Sequence, residues 1–172
     1  MKNAYPEKPE LLYQRTSVEM GLVVAYIKSL NVPKEIKCAA YVFFRIESAN
    51  GKSGVNNNYA GIQADGARWP AEFDSKIAGT SLKKENGTGN LRRFVCFHRW
   101  EDSVDFTVNN AQRRGLFVGG QTWRIVKMAV QTVEDLCTAY KREWVTGNAK
   151  YLPGPAEVAS FSSMYNQAAK IF

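Results

Sequence analysis

Between Pro33 and Trp69 the chain changes its rule partway along. From Pro33 to Glu47, the apolar residues Ile36, Ala39, Ala40, Phe43 and Phe44 recur at the spacing of one helical face, and Pro33 suits the first turn. After Asn50 no helix can continue, because Gly51, Gly54, Gly61 and Gly66 and the run Asn56-Asn57-Asn58 punctuate the chain too densely. Glu47 stands at the junction. It lies four residues after Phe43 and three after Phe44, so it closes the buried face of the helix. An apolar wall favours the protonated form of a carboxyl. Beyond it come a loop rich in amides and a short strand-like run, Tyr59-Ala60-Gly61-Ile62-Gln63. An acid against apolar groups, facing amides able to hydrogen-bond a sugar, is the composition of a polysaccharide-cleaving site.

The rest of the chain frames this junction. At 172 residues it is read as a single domain, 1–172, with residues 1–16 as a polar N-terminal arm holding two prolines. Ser17 is placed to cap a helix from Val18 to Leu30. Residues 76–98 read as β structure, Ile77–Leu82 and Leu91–His98, joined across an Asn86-Gly87 turn. Helical patterning returns over 101–114, capped by Asp102 or Ser103. It returns again over 121–143, starting at Gln121 or Thr122, with Val126, Ala129, Val130, Val133, Leu136, Cys137 and Tyr140 near a 3.6-residue period. Thr146–Pro155 is a loop and Ala156–Phe172 a final helix. The expected class is α+β, a mostly helical body with a small β-hairpin lobe.

Composition removes several alternatives. A net charge of +7 and a pI near 9.4 imply attraction to a polyanion, either nucleic acid or an anionic wall polymer. The basic pairs Lys83-Lys84, Arg92-Arg93 and Arg113-Arg114 are scattered, which fits a generally cationic surface better than a nucleic-acid stripe. Cys38, Cys96 and Cys137 lie far apart in apolar contexts and read as buried free thiols. With one histidine, His98, in the alternating run Phe94–Trp100, neither a metal site nor a cofactor is expected. No secretory signal and no membrane-spanning run are visible, so a wall-acting protein of this sequence would be made in the cytoplasm and delivered by other means.

Three stretches resemble the bacterial glucosaminidase family of flagellar muramidases and autolysins. Glu47-Ser48-Ala49-Asn50-Gly51-Lys52-Ser53 is similar to its Glu-Ser-x-x-Gly-x-Ser motif. Asn57-Asn58-Tyr59-Ala60-Gly61-Ile62-Gln63 is similar to its Asn-Asn-[Leu/Tyr]-[Phe/Ala]-Gly-Ile-Lys. Phe94 to Phe106 resembles its Phe-Arg-x-Tyr-x-Ser-x-x-Glu-Ser-x-x-Asp-[Tyr/Phe] segment. The resemblance implies a lysozyme-like fold and a monomer acting on peptidoglycan glycan strands, with no nucleic acid partner and no membrane insertion. It makes Glu47 the general acid. The second carboxylate is sought in the β-lobe among Asp65, Glu72 and Asp74, with Asp74 first. Ser48, Asn58, Tyr59, Gly61 and Gln63 form the substrate side, Trp69 either stacks a sugar or anchors the β-lobe, with the anchor favoured, and a late tyrosine, Tyr151 or Tyr165, joins the cleft. Glu-Ser followed by Gly-Ile-Gln also fits lytic transglycosylases, which need a single acid. A lysozyme-like module that binds glycan without cutting, and a basic assembly protein, are the other readings.

Overall fold

The computed structural model describes residues 8–64, 69–84, 89–114, 124–125 and 128–172. Over its described part, the expected N-terminal arm is drawn into β structure. β1, Arg15–Thr16, pairs antiparallel with β2, Gly54–Val55, and Glu10 bridges Thr80 in parallel. α1 is Met20–Ser29 and starts later than the Ser17 cap suggests. The reason is that the Val18 N–H is already committed to Gly51 O at 2.9 Å, while Glu19 O accepts the first helical amides. α2, Lys34–Glu47, ends where the apolar period ends, and Pro33 O accepts the Lys37 N–H at its start.

The hairpin is β3, Ile77–Lys84, against β4, Leu91–Phe97, in antiparallel register from Ile77↔Phe97 to Lys84↔Leu91. The expected Asn86-Gly87 turn lies outside the described residues. β4 stops at Phe97, so His98 follows the strand and is exposed. The run expected as a strand over Tyr59–Gln63 is irregular, with one bridge, Gln63↔Phe94, and backbone bonds that lay Ile62–Ala64 beside β4. α3 is Trp100–Arg114. Asp102 accepts the Arg99 N–H from within the first turn, and Ser103, the other expected cap, instead takes the Tyr59 N–H at 2.9 Å.

The stretch 121–143 corrects the single long helix expected there. β5, Arg124–Ile125, pairs with β6, Met128–Ala129, and α4 begins only at Val133. Thr132 and Asp135 form a reciprocal capping box at its start, and the expected start at Gln121 or Thr122 lies outside the described residues. α4, Val133–Tyr140, passes into a π-helix at Lys141–Thr146, and α5 is Pro155–Ile171.

The chain forms two compact units. The first comprises Met1–Val24 and Phe43–Thr107, the second Ala25–Val42 and Val108–Phe172. In the first, Trp69, Phe73, Ile77, Val95, Phe97 and Phe106 pack into one apolar cluster beneath the hairpin, with Phe73 and Phe106 edge-to-face at 4.8 Å. Burying rings of this size is what makes so small a β-lobe stable. In the second, α4 packs on α5 through Tyr140 and Phe161, whose ring centroids are 5.8 Å apart. All three cysteines are buried free thiols, each held up at about 11 by burial.

Glu157 ties the second unit's last loop to α5. Its carboxylate accepts Lys141 Nζ at 2.7 Å, the Tyr151 hydroxyl at 2.9 Å and the Gly154 N–H at 2.9 Å. Those donors, Lys141 foremost, lower its pKa from 4.5 to about 2. A depressed carboxyl contributes stability that is complete above its unfolded pKa and is lost as pH falls through the folded one. The expected result is that Glu157→Gln is less stable than the parent at pH 7 and that the two converge between pH 4.5 and pH 2. Urea midpoints across that range check it, and a constant gap down to pH 2 would contradict it.

Candidate functional site

The site grows from the end of α2. Ala49 and Asn50 both have positive φ, and Gly51 follows at φ +80 with its β-position 2.2 Å from Val18 O, where no side chain fits. Ser48 builds this turn. It is fully buried, donates its hydroxyl to Phe44 O and accepts the Gly51 N–H at 2.8 Å. Ser48 was expected on the substrate side; burial puts it beneath the surface, holding the turn that leaves Glu47 half-exposed.

The three asparagines that follow have separate tasks. Asn56 and Asn57 take left-handed backbone, φ 48 and 63. Asn56 binds the arm, its Oδ1 accepting the Gln14 N–H and its Nδ2 donating to Leu12 O. Asn57 Nδ2 donates to Phe97 O and His98 O at the end of β4. Asn58 is 3% exposed. Its Nδ2 donates to Ile62 O at 2.9 Å and Val95 O at 3.0 Å, and its Oδ1 accepts from Ala60 N–H at 3.2 Å and Ile62 N–H at 3.1 Å. With every amide position engaged, Asn58 shapes the 59–62 loop and fastens it to β4.

That loop faces Glu47. Gly61 has φ +62, and a β-carbon built on it would stand 3.6 Å from Glu47 Oε2, so a side chain at this position would come against the carboxylate. Glu47, Ser53, Val55, Asn58, Gly61, Lys83 and Phe94 line one open recess, all within the first unit. Tyr59, fully buried, supports it from behind, stacked on Phe44 with ring centroids 5.2 Å apart. Burial pushes the Tyr59 hydroxyl's pKa up, partly offset by a hydrogen bond with Thr16.

Of the residues expected from sequence, the structure brings Glu47, Asn58 and Gly61 together in the recess. Tyr59 is a support rather than a lining residue, and Gln63 is exposed beyond the loop on its bridge to Phe94. Trp69 belongs to the apolar cluster, and its Nε1 donates to Asp74 Oδ1 at 3.0 Å. Asp74, on the short helical turn Ala71–Lys76, also pairs with Lys8 at 3.2 Å. Its two oxygens therefore hold Trp69 and the arm. Glu72 is exposed on the same turn, and Asp65 lies outside the described residues. Tyr151 and Tyr165 are both in the second unit, Tyr151 donating to Glu157 and Tyr165 with its pKa raised by burial. Asp105 meets Lys76 at 2.5 Å, an ion pair between the short turn and α3.

Lys83 and Phe94 were not expected in the site. They come from facing strands far along the chain, with Lys83 Nζ 5.8 Å from the Phe94 ring centroid. Strand alternation alone would have shown only that Ser81 and Lys83 share a face.

The placement of Asp74 carries its own expectation. Asp74→Ala leaves the indole N–H of a nearly buried tryptophan without an acceptor, a loss of roughly 2 kcal/mol, while Asp74→Asn retains an acceptor and loses less. Urea unfolding followed by tryptophan emission measures this. A stable Asp74→Ala variant with unchanged emission would show that the contact is idle.

Among the described residues no helix is long and apolar enough to cross a membrane, and no group of three or more His, Cys, Asp or Glu could hold a metal ion. No family model and no curated protein matches the chain. Among solved structures it is similar to the crystal structure of a peptidoglycan hydrolase mutant from Sphingomonas sp. A1, at 16% identity and a TM-score of 0.42, over 86% of this chain and 97% of that one. At that TM-score the likeness is too loose to carry function from one protein to the other, and the recess at the end of α2 is judged on its own geometry.

Proposed function

We propose that this chain cleaves the β-1,4 glycan backbone of peptidoglycan, with Glu47 as the general acid. The observation that carries the reading is the Glu47 carboxylate at a helix end, sharing an open recess with Gly61, whose missing side chain would come against it. A glycine there removes the side chain that would keep a sugar ring from the acid. Glu47 would protonate the glycosidic oxygen as the bond to the anomeric carbon breaks. Ser53 and the exposed loop backbone would supply hydrogen bonds to the sugar.

Among the described lining residues Glu47 is the one carboxylate, and Asp74 is engaged with Trp69 and Lys8. This favours a single-acid route, in which the substrate's acetamido group or an internal hydroxyl takes the part of the second carboxylate. A lytic transglycosylase is therefore the second reading. A protein of this kind acts at the wall after release or delivery.

Mass spectrometry of soluble fragments from purified peptidoglycan tests the proposal and separates its forms. Reducing N-acetylglucosamine ends mean a glucosaminidase, reducing N-acetylmuramic acid ends a muramidase, and anhydro-muramic ends a transglycosylase. No fragments from several wall types would leave a binding module.

A further inference from the structure

The recess holds a cation that the general-acid chemistry does not require. Lys83 lines it together with Glu47, half-buried, with its Nζ 5.8 Å from the Phe94 ring centroid. In the β3–β4 ladder Lys83 stands directly opposite Arg92, and Ser81 directly opposite Phe94. Directly opposed residues share a face, and alternation puts Ser81 and Lys83 on one side, so Arg92 and Lys83 stand side by side on the face that carries Phe94 into the recess. The Ser81 hydroxyl, fully buried on this face, has no hydrogen-bond partner. Arg93 points to the opposite face, where it binds Glu10 at 2.9 Å and Thr80 at 3.0 Å. Of the hairpin's four basic residues, Lys83, Lys84, Arg92 and Arg93, Arg93 fastens the arm and Lys83 lines the recess.

We propose that Lys83 binds a carboxylate substituent of the glycan and makes the site selective for acidic over neutral chains. The proposal rests on the recess being a glycan site and adds which glycan it takes. An ammonium on a flexible stem, steadied over an aromatic ring and partly removed from water, is suited to a carboxylate one substituent away from the sugar ring.

The test uses soluble peptidoglycan strands with their carboxylates free, the same strands with carboxylates amidated, and neutral N-acetylglucosamine oligomers. Binding is measured by calorimetry and cleavage by reducing-end release, for the parent, Lys83→Gln and Lys83→Arg. The parent is expected to prefer free carboxylates. Lys83→Gln should raise Kd and KM for them about tenfold more than it does for the amidated strands and the neutral oligomer. Lys83→Arg should keep most of the preference. Parental preference in Lys83→Gln, or equal loss on acidic and neutral chains, overturns the proposal. The two readings fail separately. Cleavage without a Lys83-dependent preference removes the anchor and keeps the enzyme. Lys83-dependent binding without cleavage keeps the anchor and removes the enzyme. Neither binding nor cleavage removes both.

Discussion

Glu47→Gln is expected to reduce fragment release from peptidoglycan by at least about a hundredfold, the scale of losing a positioned general acid. The amide has the shape of the carboxyl and cannot deliver the proton. Stability should hardly change, because Glu47 is half-exposed at a helix end and the turn beyond it is held by Ser48 and the Val18–Gly51 contact. The informative comparison is therefore turnover against melting temperature in one preparation. Turnover near zero at parental Tm places the chemistry on Glu47. Equal turnover in variant and parent sinks the assignment, and a fall in both would mean that Glu47 is a structural group.

Asn58→Ala is expected to have the largest effect on folding. The side chain makes four hydrogen bonds while 3% exposed, two of them to carbonyls of Ile62 and Val95. Alanine takes the side-chain donor from the Val95 carbonyl and the acceptor from the Ala60 and Ile62 N–H groups, and leaves the Ile62 carbonyl with the Val95 N–H alone, at a combined cost of about 3 kcal/mol. For a chain of this length that is a Tm lower by roughly 6–12 °C. Asn58 also sets the 59–62 loop, and Gly61 in that loop faces Glu47. Activity measured well below the variant's Tm should therefore fall as well. Asn58→Asp, which keeps the acceptor and loses the donors, should lie between. An alanine variant as stable as the parent would mean that water replaces the amide and the loop needs no clamp.

The parts of the fold legible in the sequence share one property: their signals act over a few residues. The apolar period of Ile36, Ala39, Ala40, Phe43 and Phe44 and the glycines beyond it place the end of α2 at Glu47, where it is. The strand-like runs Ile77–Leu82 and Leu91–His98 on either side of a turn signal foretell the hairpin, which forms as Ile77–Lys84 against Leu91–Phe97. The errors have local causes too. Val126, Ala129, Val130 and Val133 carry a helical period, yet the Thr132–Asp135 capping box starts α4 at Val133, and the segment before it pairs as β5 and β6.

The site was only half legible. Glu47 and Gly61 could be singled out because an acid closing an apolar face and a glycine after a turn have meanings of their own. Ser48 and Tyr59 could not be told from ligand-binding residues, since a polar or aromatic side chain bonds a sugar or a neighbouring backbone equally well. Burial separates these roles, and burial belongs to the packed chain. Lys83 and Phe94 show the same limit from the other side. Nothing near them in the sequence marks a site; they reach the recess through strand pairing and the Asn58 bond to Val95 O. Composition and periodicity therefore settled the α+β class and the end of α2 at Glu47. Which residues surround that acid was decided by contacts between segments dozens of residues apart, because closing such loops costs entropy that only the packed core recovers.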